Sequence, residues 1–177
     1  MEGINVYKEE VYWTTLSYEQ WTFHIAGTSN GLSYVSLPNE SFNRLQKWKN
    51  KWFPNGELIS SENQLINDKV QLENYFKGEI EHFSIPLELK GTSFQKVVWR
   101  ALQQIPYGKT TTYSHIAKQI GKEKAVRAVG TAIGANPIPI IIPCHRVIGK
   151  NGNLTGYRGG LEMKEFLLRL ETGAVNV

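Results

Sequence analysis

Apolar positions recur with two different periods along the chain, and they predict a mixed first half followed by a mostly helical second half. "WTFHIAG" (21–27) alternates, with Trp21, Phe23 and Ile25 on one side and Thr22 and His24 on the other. That is the period of a half-buried strand. "TSNG" (28–31) supplies a turn and "LSYVSL" (32–37) returns, which predicts a hairpin. In "FNRLQKWKNKWF" (42–53) the period lengthens: Leu45, Trp48 and Trp52 fall at helical spacing. The interleaved Lys47, Lys49 and Lys51 read as the solvated face of that helix rather than as a nucleic-acid patch. Ser61 and Gln64 fit a capping box ahead of "LINDKVQLENYF" (65–76), with Gly78 placed for a C-cap. "EHFSIPLELKG" (81–91) is a connector, broken by Pro86 and closed by Gly91.

The second half opens on another capping box, Thr92 with Gln95, and an apolar stripe of Phe94, Val98, Leu102 and Ile105. "PYG" (106–108) stops that helix. Two short helical segments then meet near Gly121. Tyr113, Ile116, Ala117 and Ile120 share a face of the first, and Val126, Val129 and Ile133 a face of the second. Helix, glycine-containing turn, helix is the outline of a DNA-binding helix-turn-helix, although any αα-hairpin shares it. On the other face of the second segment Arg127 projects from among Ala125, Ala128 and Ala132, small residues that let a backbone approach a duplex. "GKNGNLTGYRGG" (149–160) carries an Asn-Gly hairpin signal at 151–152. "LEMKEFLLRLE" (161–171) closes as a helix burying Met163, Phe166, Leu167 and Leu170.

Composition narrows the class. With 177 residues, 41% hydrophobic and 20% charged, the chain has material for a packed core. One cysteine excludes an intramolecular disulfide framework and a Cys-rich structural zinc site. "MEGINVYKEE" has no basic region leading into an apolar run, and no segment is apolar for long enough to span a bilayer. The expectation is a cytoplasmic protein with a reduced thiol. Residues 1–90 carry 8 Lys+Arg against 12 Asp+Glu, a net of −4; residues 91–177 carry 12 against 4, a net of +8. A basic half joined to an acidic one suggests a polyanionic partner for the second half, or mutual attraction of the halves.

The lone cysteine stands in "IIIPCHRVIG" (140–149). Pro143 forbids an ordinary central-strand ladder just before Cys144. His145 and Arg146 are expected to raise the local positive potential and favour thiolate. On an extended strand, however, Cys144 and His145 would face opposite ways. For His145 to act as base the backbone must turn, or a water must relay the proton.

"NPIPIIIPCHRVIG", preceded by "IPYGKTTTY" and followed by "GYRGGLEMKEFLLRLE", resembles the O6-alkylguanine-DNA alkyltransferases, also called methylated-DNA–protein-cysteine methyltransferases. The match in order and spacing runs from about residue 91 to residue 171; the first half matches only in size and mixed pattern. The resemblance implies a mixed α/β (α+β) fold. A sheet-and-helix scaffold over residues 1–88 would precede a helical, winged-helix-like DNA-binding and transfer domain over 91–177. It implies that Cys144 takes the alkyl group from guanine O6 once and irreversibly, with O4 of thymine left open as a second target. His145 would act as a water-relayed base held by Glu171, Tyr113 would protonate the departing guanine, and Asn136 would brace the turn. Arg127 would fill the gap left by the rotated nucleotide, with Ala125, Ala128 and Thr131 against the minor groove. Tyr157, Arg158 and Gly159 would line the base pocket; where many bacterial relatives carry tryptophan after the Tyr-Arg pair, this chain has Gly159 and Gly160. A monomer acting on duplex DNA with O6-alkylguanine is implied, with neither metal nor cofactor. Two rivals share the motif's chemistry in part: a Cys-His hydrolase that turns over, and a module that only binds alkylated DNA.

Overall fold

Residues 9–173 are described by the computed structural model of the chain. Four strands form one sheet in the order β3-β2-β1-β4: β1 Glu10–Tyr18, β2 Trp21–Thr28, β3 Gly31–Val35 and β4 Glu57–Ser60. β1 and β3 run antiparallel to β2, and β4 runs parallel to β1. The hairpin expected at residues 21–37 forms. β1 and β4 carry no clean alternation, because the sheet is covered on both faces and its apolar positions are divided between them. Leu16 faces Phe23 and Tyr18 faces Trp21 across β1 and β2 on one side, while Trp13 faces Ala26 on the other.

Two hydrophobic clusters follow from those faces. The smaller is built from Val11, Ala26, Tyr34, Leu45, Trp48 and Phe53, under helix α1 (Phe42–Trp52). The larger takes Leu16, Trp21, Phe23 and Ile25 from the sheet and continues through Tyr75 and Phe76 of α2 (Ile66–Phe76) into the second half. One apolar core thus joins the two halves of the chain. The capping box expected at Ser61 and Gln64 is not made. A 3-10 turn over Asn63–Leu65 carries the backbone into α2, and Leu65 occupies the N-cap with no side-chain bond.

The second half is helical, as its periodicity predicts. α3 (Ser93–Leu102) starts on the expected Thr92–Gln95 capping box. α4 (Tyr113–Gln119) and α5 (Val126–Gly134) form the helix-turn-helix, and α6 (Leu161–Thr172) closes the chain. Trp99, inside α3, was not on the predicted stripe, yet it is buried and its indole donates to the Ala132 carbonyl at 2.8 Å, fastening α3 to α5. Ala132 is therefore buried, which corrects its expected place on the open face. The outward residues of α5 are Arg127, Ala128 and Thr131. The Asn-Gly pair at 151–152 makes a turn, closed by Gly149 N–H donating to the Asn153 carbonyl at 3.0 Å, but not a strand hairpin. The two-residue strand before it, β6 (Val147–Ile148), pairs in parallel with β5 (Thr111–Thr112), which leads directly into α4. That pairing connects the cysteine segment to the helix-turn-helix. No helix of the described residues is long and apolar enough to cross a membrane.

Candidate active site

Three local devices bend the chain at Cys144. Ile140 sits at φ 77°, a left-handed backbone that β-branched residues seldom adopt and that costs on the order of 1–3 kcal/mol. Pro143, at φ −79° and ψ 63°, forms an inverse γ-turn in which Cys144 N–H donates to the Ile142 carbonyl at 2.7 Å. Cys144–Arg146 then make one 3-10 turn. The backbone thus turns where an extended strand would have separated Cys144 from His145.

Asn136 holds the bend. Its Nδ2 donates to the Ile142 carbonyl at 2.8 Å and to Cys144 Sγ at 3.3 Å, and its Oδ1 accepts from Ile138 N–H at 3.0 Å. Cys144 is 8% exposed, and burial pushes its thiol above the ordinary value. The Asn136 hydrogen bond, and then the charges of Lys164 and Arg158, pull the other way without winning. This corrects the expectation that His145 and Arg146 supply a thiolate-favouring field. Arg146 is committed elsewhere, and the resting sulfur is a thiol.

Glu171 is the centre of the buried polar network. His145 Nε2 lies 2.6 Å from its Oε1, and Arg146 reaches it from Nε at 2.9 Å and Nη2 at 2.9 Å. The Tyr75 hydroxyl donates to the same carboxylate, and the Gly108 backbone N–H donates at 3.1 Å. Arg146 also donates to the Ile105 carbonyl at 2.6 Å. Burial alone would raise the Glu171 pKa; the bonds from His145, Arg146 and Tyr75 outweigh it and bring it down to about 2. Burial lowers the His145 pKa in spite of Glu171, so the ring is neutral at rest. With Nε2–H directed at the carboxylate, Nδ1 carries the free lone pair, and it is buried without a protein partner among the described residues. Gly108 is required here: at φ 68°, a Cβ would lie 2.9 Å from the Glu171 carbonyl oxygen.

These shifts set an acid limit. Unfolded, Glu171 takes its proton near 4.5, while folded it stays ionised to about 2, so stability present above pH 4.5 is lost as the pH falls toward 2. The amount is on the order of 3 kcal/mol. His145 acts in the same sense from 6.5 downward, since only the unfolded imidazole protonates readily there. Asp68, raised from 3.8 to about 6 by burial, opposes both between those values. Urea midpoints are expected to drop most steeply between pH 4.5 and 2; a flat profile there would contradict the network.

Sequence reasoning missed Tyr75 and Lys164. Lys164 is wholly buried; its Nζ donates to the carbonyls of Val147 at 2.6 Å and Thr155 at 2.9 Å. Its spacing was a signal: 164, 167 and 171 lie on one helical face, so Lys164 shares the buried stripe with Leu167 and Glu171. Tyr75 comes from the first half, and nothing local in the sequence links it to residue 171. Tyr113, at the start of α4, donates to the Thr155 carbonyl at 3.2 Å, and its phenol is raised by burial and by Cys144.

A cleft opens beside Cys144, lined by Leu37, Ile133, Asn136, Pro139, Tyr157 and Arg158. Its free space is about 10 Å³, room for about one water. Gly159 is pressed into the wall: a Cβ there would meet Tyr157 at 2.6 Å and Leu37 and Pro38 at 3.3 Å. Arg127, Ala128 and Thr131 are exposed on α5, outside the buried network, and Ala125 lies half-buried at the helix start.

Residues 93–173 match the family described as "6-O-methylguanine DNA methyltransferase, DNA binding domain", and residues 11–89 match its "ribonuclease-like domain". The inducible methylated-DNA–protein-cysteine methyltransferase of Bacillus subtilis is 50% identical over 167 residues, covering 94% of this chain and 93% of that protein. The methyltransferase of the same name from Methanosarcina acetivorans is 50% identical over 147 residues, 83% of this chain and 89% of its own. The crystal structure of Mycobacterium tuberculosis OGT in complex with DNA superposes with a TM-score of 0.79 at 40% identity, covering 93% of each chain.

Proposed function

Because the chain belongs to the 6-O-methylguanine DNA methyltransferase family, we propose that Cys144 receives the alkyl group and that O6-alkylguanine in duplex DNA supplies it. The activity itself is the family's: DNA repair by transfer of an alkyl group from DNA to a protein cysteine. The observation carrying the assignment is that the chain's only cysteine lies on a turn held by Asn136, beside a neutral imidazole whose Nδ1 is free.

The transfer is a displacement at saturated carbon. The thiol proton passes through a water to His145 Nδ1, and Glu171 at Nε2 stabilises the imidazolium. Sulfur bonds the alkyl carbon as the carbon–O6 bond breaks, and that electron pair goes into the purine. Tyr113 gives the base a proton, so guanine leaves neutral, and the phenolate recovers a proton from the imidazolium. Proton and charge balance, and no oxyanion needs stabilising. The thioether product is neither a hydrolysable ester nor a reducible disulfide, so each molecule acts once.

Geometry sets the order of events. A base stacked in duplex cannot reach Sγ, and extruding it costs a few kcal/mol. The resting cleft is far below the roughly 300 Å³ of ordinary ligand pockets, so the Tyr157–Gly159 wall moves when DNA docks. α5 lies against the duplex with Ala125, Ala128 and Thr131 close to it, and Arg127 fills the gap left behind. Residues 1–88 act as a scaffold, supplying Tyr75, to a working domain over 91–177. The protein acts as a cytoplasmic monomer.

Incubation with a duplex holding one labelled O6-methylguanine tests the reading. The expected result is one methyl mass on the peptide containing Cys144, at one equivalent per protein. Repeated turnover, or label on another residue, overturns it.

A further inference from the structure

A second groove, of about 310 Å³, lies on the far side of Arg158 from the cysteine. One wall is α1, which presents Arg44, Lys47 and Lys51 at i, i+3 and i+7, with Trp48 and Trp52 among them. The opposite wall brings Lys90 and Arg158. Five cations therefore meet one carboxylate, Glu40, which is already occupied: it accepts from Leu37 N–H at 3.0 Å and pairs with Arg44 at 3.5 Å. Lys90 is paired with Glu88 at 2.7 Å. Lys47, Lys51 and Arg158 have no carboxylate partner among the described residues. Residues 1–90 are net acidic, yet four of their eight cations line this one groove.

The Trp48 indole forms part of the wall. Three cations without carboxylate partners around one groove fit an anion with several oxygens.

We propose that this groove binds backbone phosphates of the DNA being repaired, outside the footprint of α5. Continuity decides for DNA over a free anion or an acidic protein. Arg158 belongs both to this groove and to the wall of the Cys144 cleft, so a polymer engaged at the cleft continues onto α1. Arg44 to Lys51 spans about 10 Å of helix, which is about three phosphate steps of one strand at ~3.4 Å each. Lys51 also lies 4.7 Å over the Trp52 ring, which holds its ammonium on the groove side of the helix. Lys47 and Lys51, two of the three lysines expected to be a solvated helix face, are thus an auxiliary phosphate-binding site, while Lys49 lies outside the groove. The proposal rests on DNA being the partner, but not on the chemistry at Cys144.

The test compares wild type with Lys47→Ala/Lys51→Ala on two alkylated duplexes, one just covering α5 and one extending well past the lesion on both sides. On the long duplex the slope of log K against log salt is expected to become shallower by about 2, one for each lost phosphate contact. On the short duplex both the slope and methyl transfer to Cys144 stay as in wild type. Unchanged slopes on the long duplex, or equal losses on both, overturn the proposal. It also falls if inorganic phosphate or a mononucleotide quenches the tryptophans while the DNA slopes do not differ, or if the lysines control only dimerisation in sedimentation. Failure of wild type to transfer methyl from either duplex would instead overturn the function proposed for Cys144.

Discussion

A Cys144→Ala protein is expected to transfer no methyl group at all, yet to hold an alkylated duplex with its Kd unchanged to within about a factor of two. Cys144 is 8% exposed and lines the narrow cleft, so it offers the duplex almost no surface. The substitution loses one hydrogen bond, from Asn136 at 3.3 Å, costing about 1 kcal/mol of stability. The fold therefore survives, and loss of repair can be assigned to the missing nucleophile. Filter binding and a methyl count on the same preparation decide between three readings. A binding module would be unaffected by the change. A Cys-His hydrolase would lose activity as well, but its wild type would release product repeatedly instead of stopping at one equivalent. Residual transfer by the alanine protein would eliminate Cys144 as the acceptor.

Glu171→Gln is expected to have the largest effect on stability. The carboxylate is the common acceptor for His145, Arg146, Tyr75 and Gly108, and it is 6% exposed. An amide of the same shape carries no charge and turns two donors toward groups that are themselves donors. The Arg146 guanidinium, itself buried, is left without its counter-charge. Breaking a buried pair in this way costs about 3–5 kcal/mol, read as a lower urea midpoint with an unchanged m-value. The transfer rate of the folded fraction should fall as well, by a factor of about 100 or more, because the imidazolium loses its stabilising partner. A variant with wild-type stability and a normal rate would show that the network is packing only. The acid branch of the stability profile between pH 4.5 and 2 should also flatten, since the titrating group is gone.

Different parts of this design were legible in the sequence to different degrees, for physical reasons. Helices with one buried stripe, such as α3 and α6, announce themselves by their period, and β2 does so by alternation. β1 does not: apolar residues lie on both its faces, Leu16 toward the large core and Val11 toward the small one, so no single phase dominates. Cys144, His145, Asn136 and Glu171 were all marked by the resemblance, and the structure brings them together with Arg146. The sign of the thiol shift was not legible. Neighbours in sequence suggested a positive field, whereas the 3-10 turn sends Arg146 toward Glu171, and burial then decides the sulfur's state. Tyr75 was invisible because its partner is 96 residues away, across the junction of the two halves. The groove that Lys47 and Lys51 share with Arg158 was not legible either, because Arg158 lies more than a hundred positions later in the chain.

The narrow cleft has a consequence for a reagent that can be consumed only once. Peroxide and small soluble electrophiles attack the thiolate, and they must reach it. At rest Cys144 is protonated and faces about 10 Å³ behind Tyr157 and Arg158. Its inventory of unspent sulfur is thereby protected from oxidative and metabolic attrition between encounters with damage.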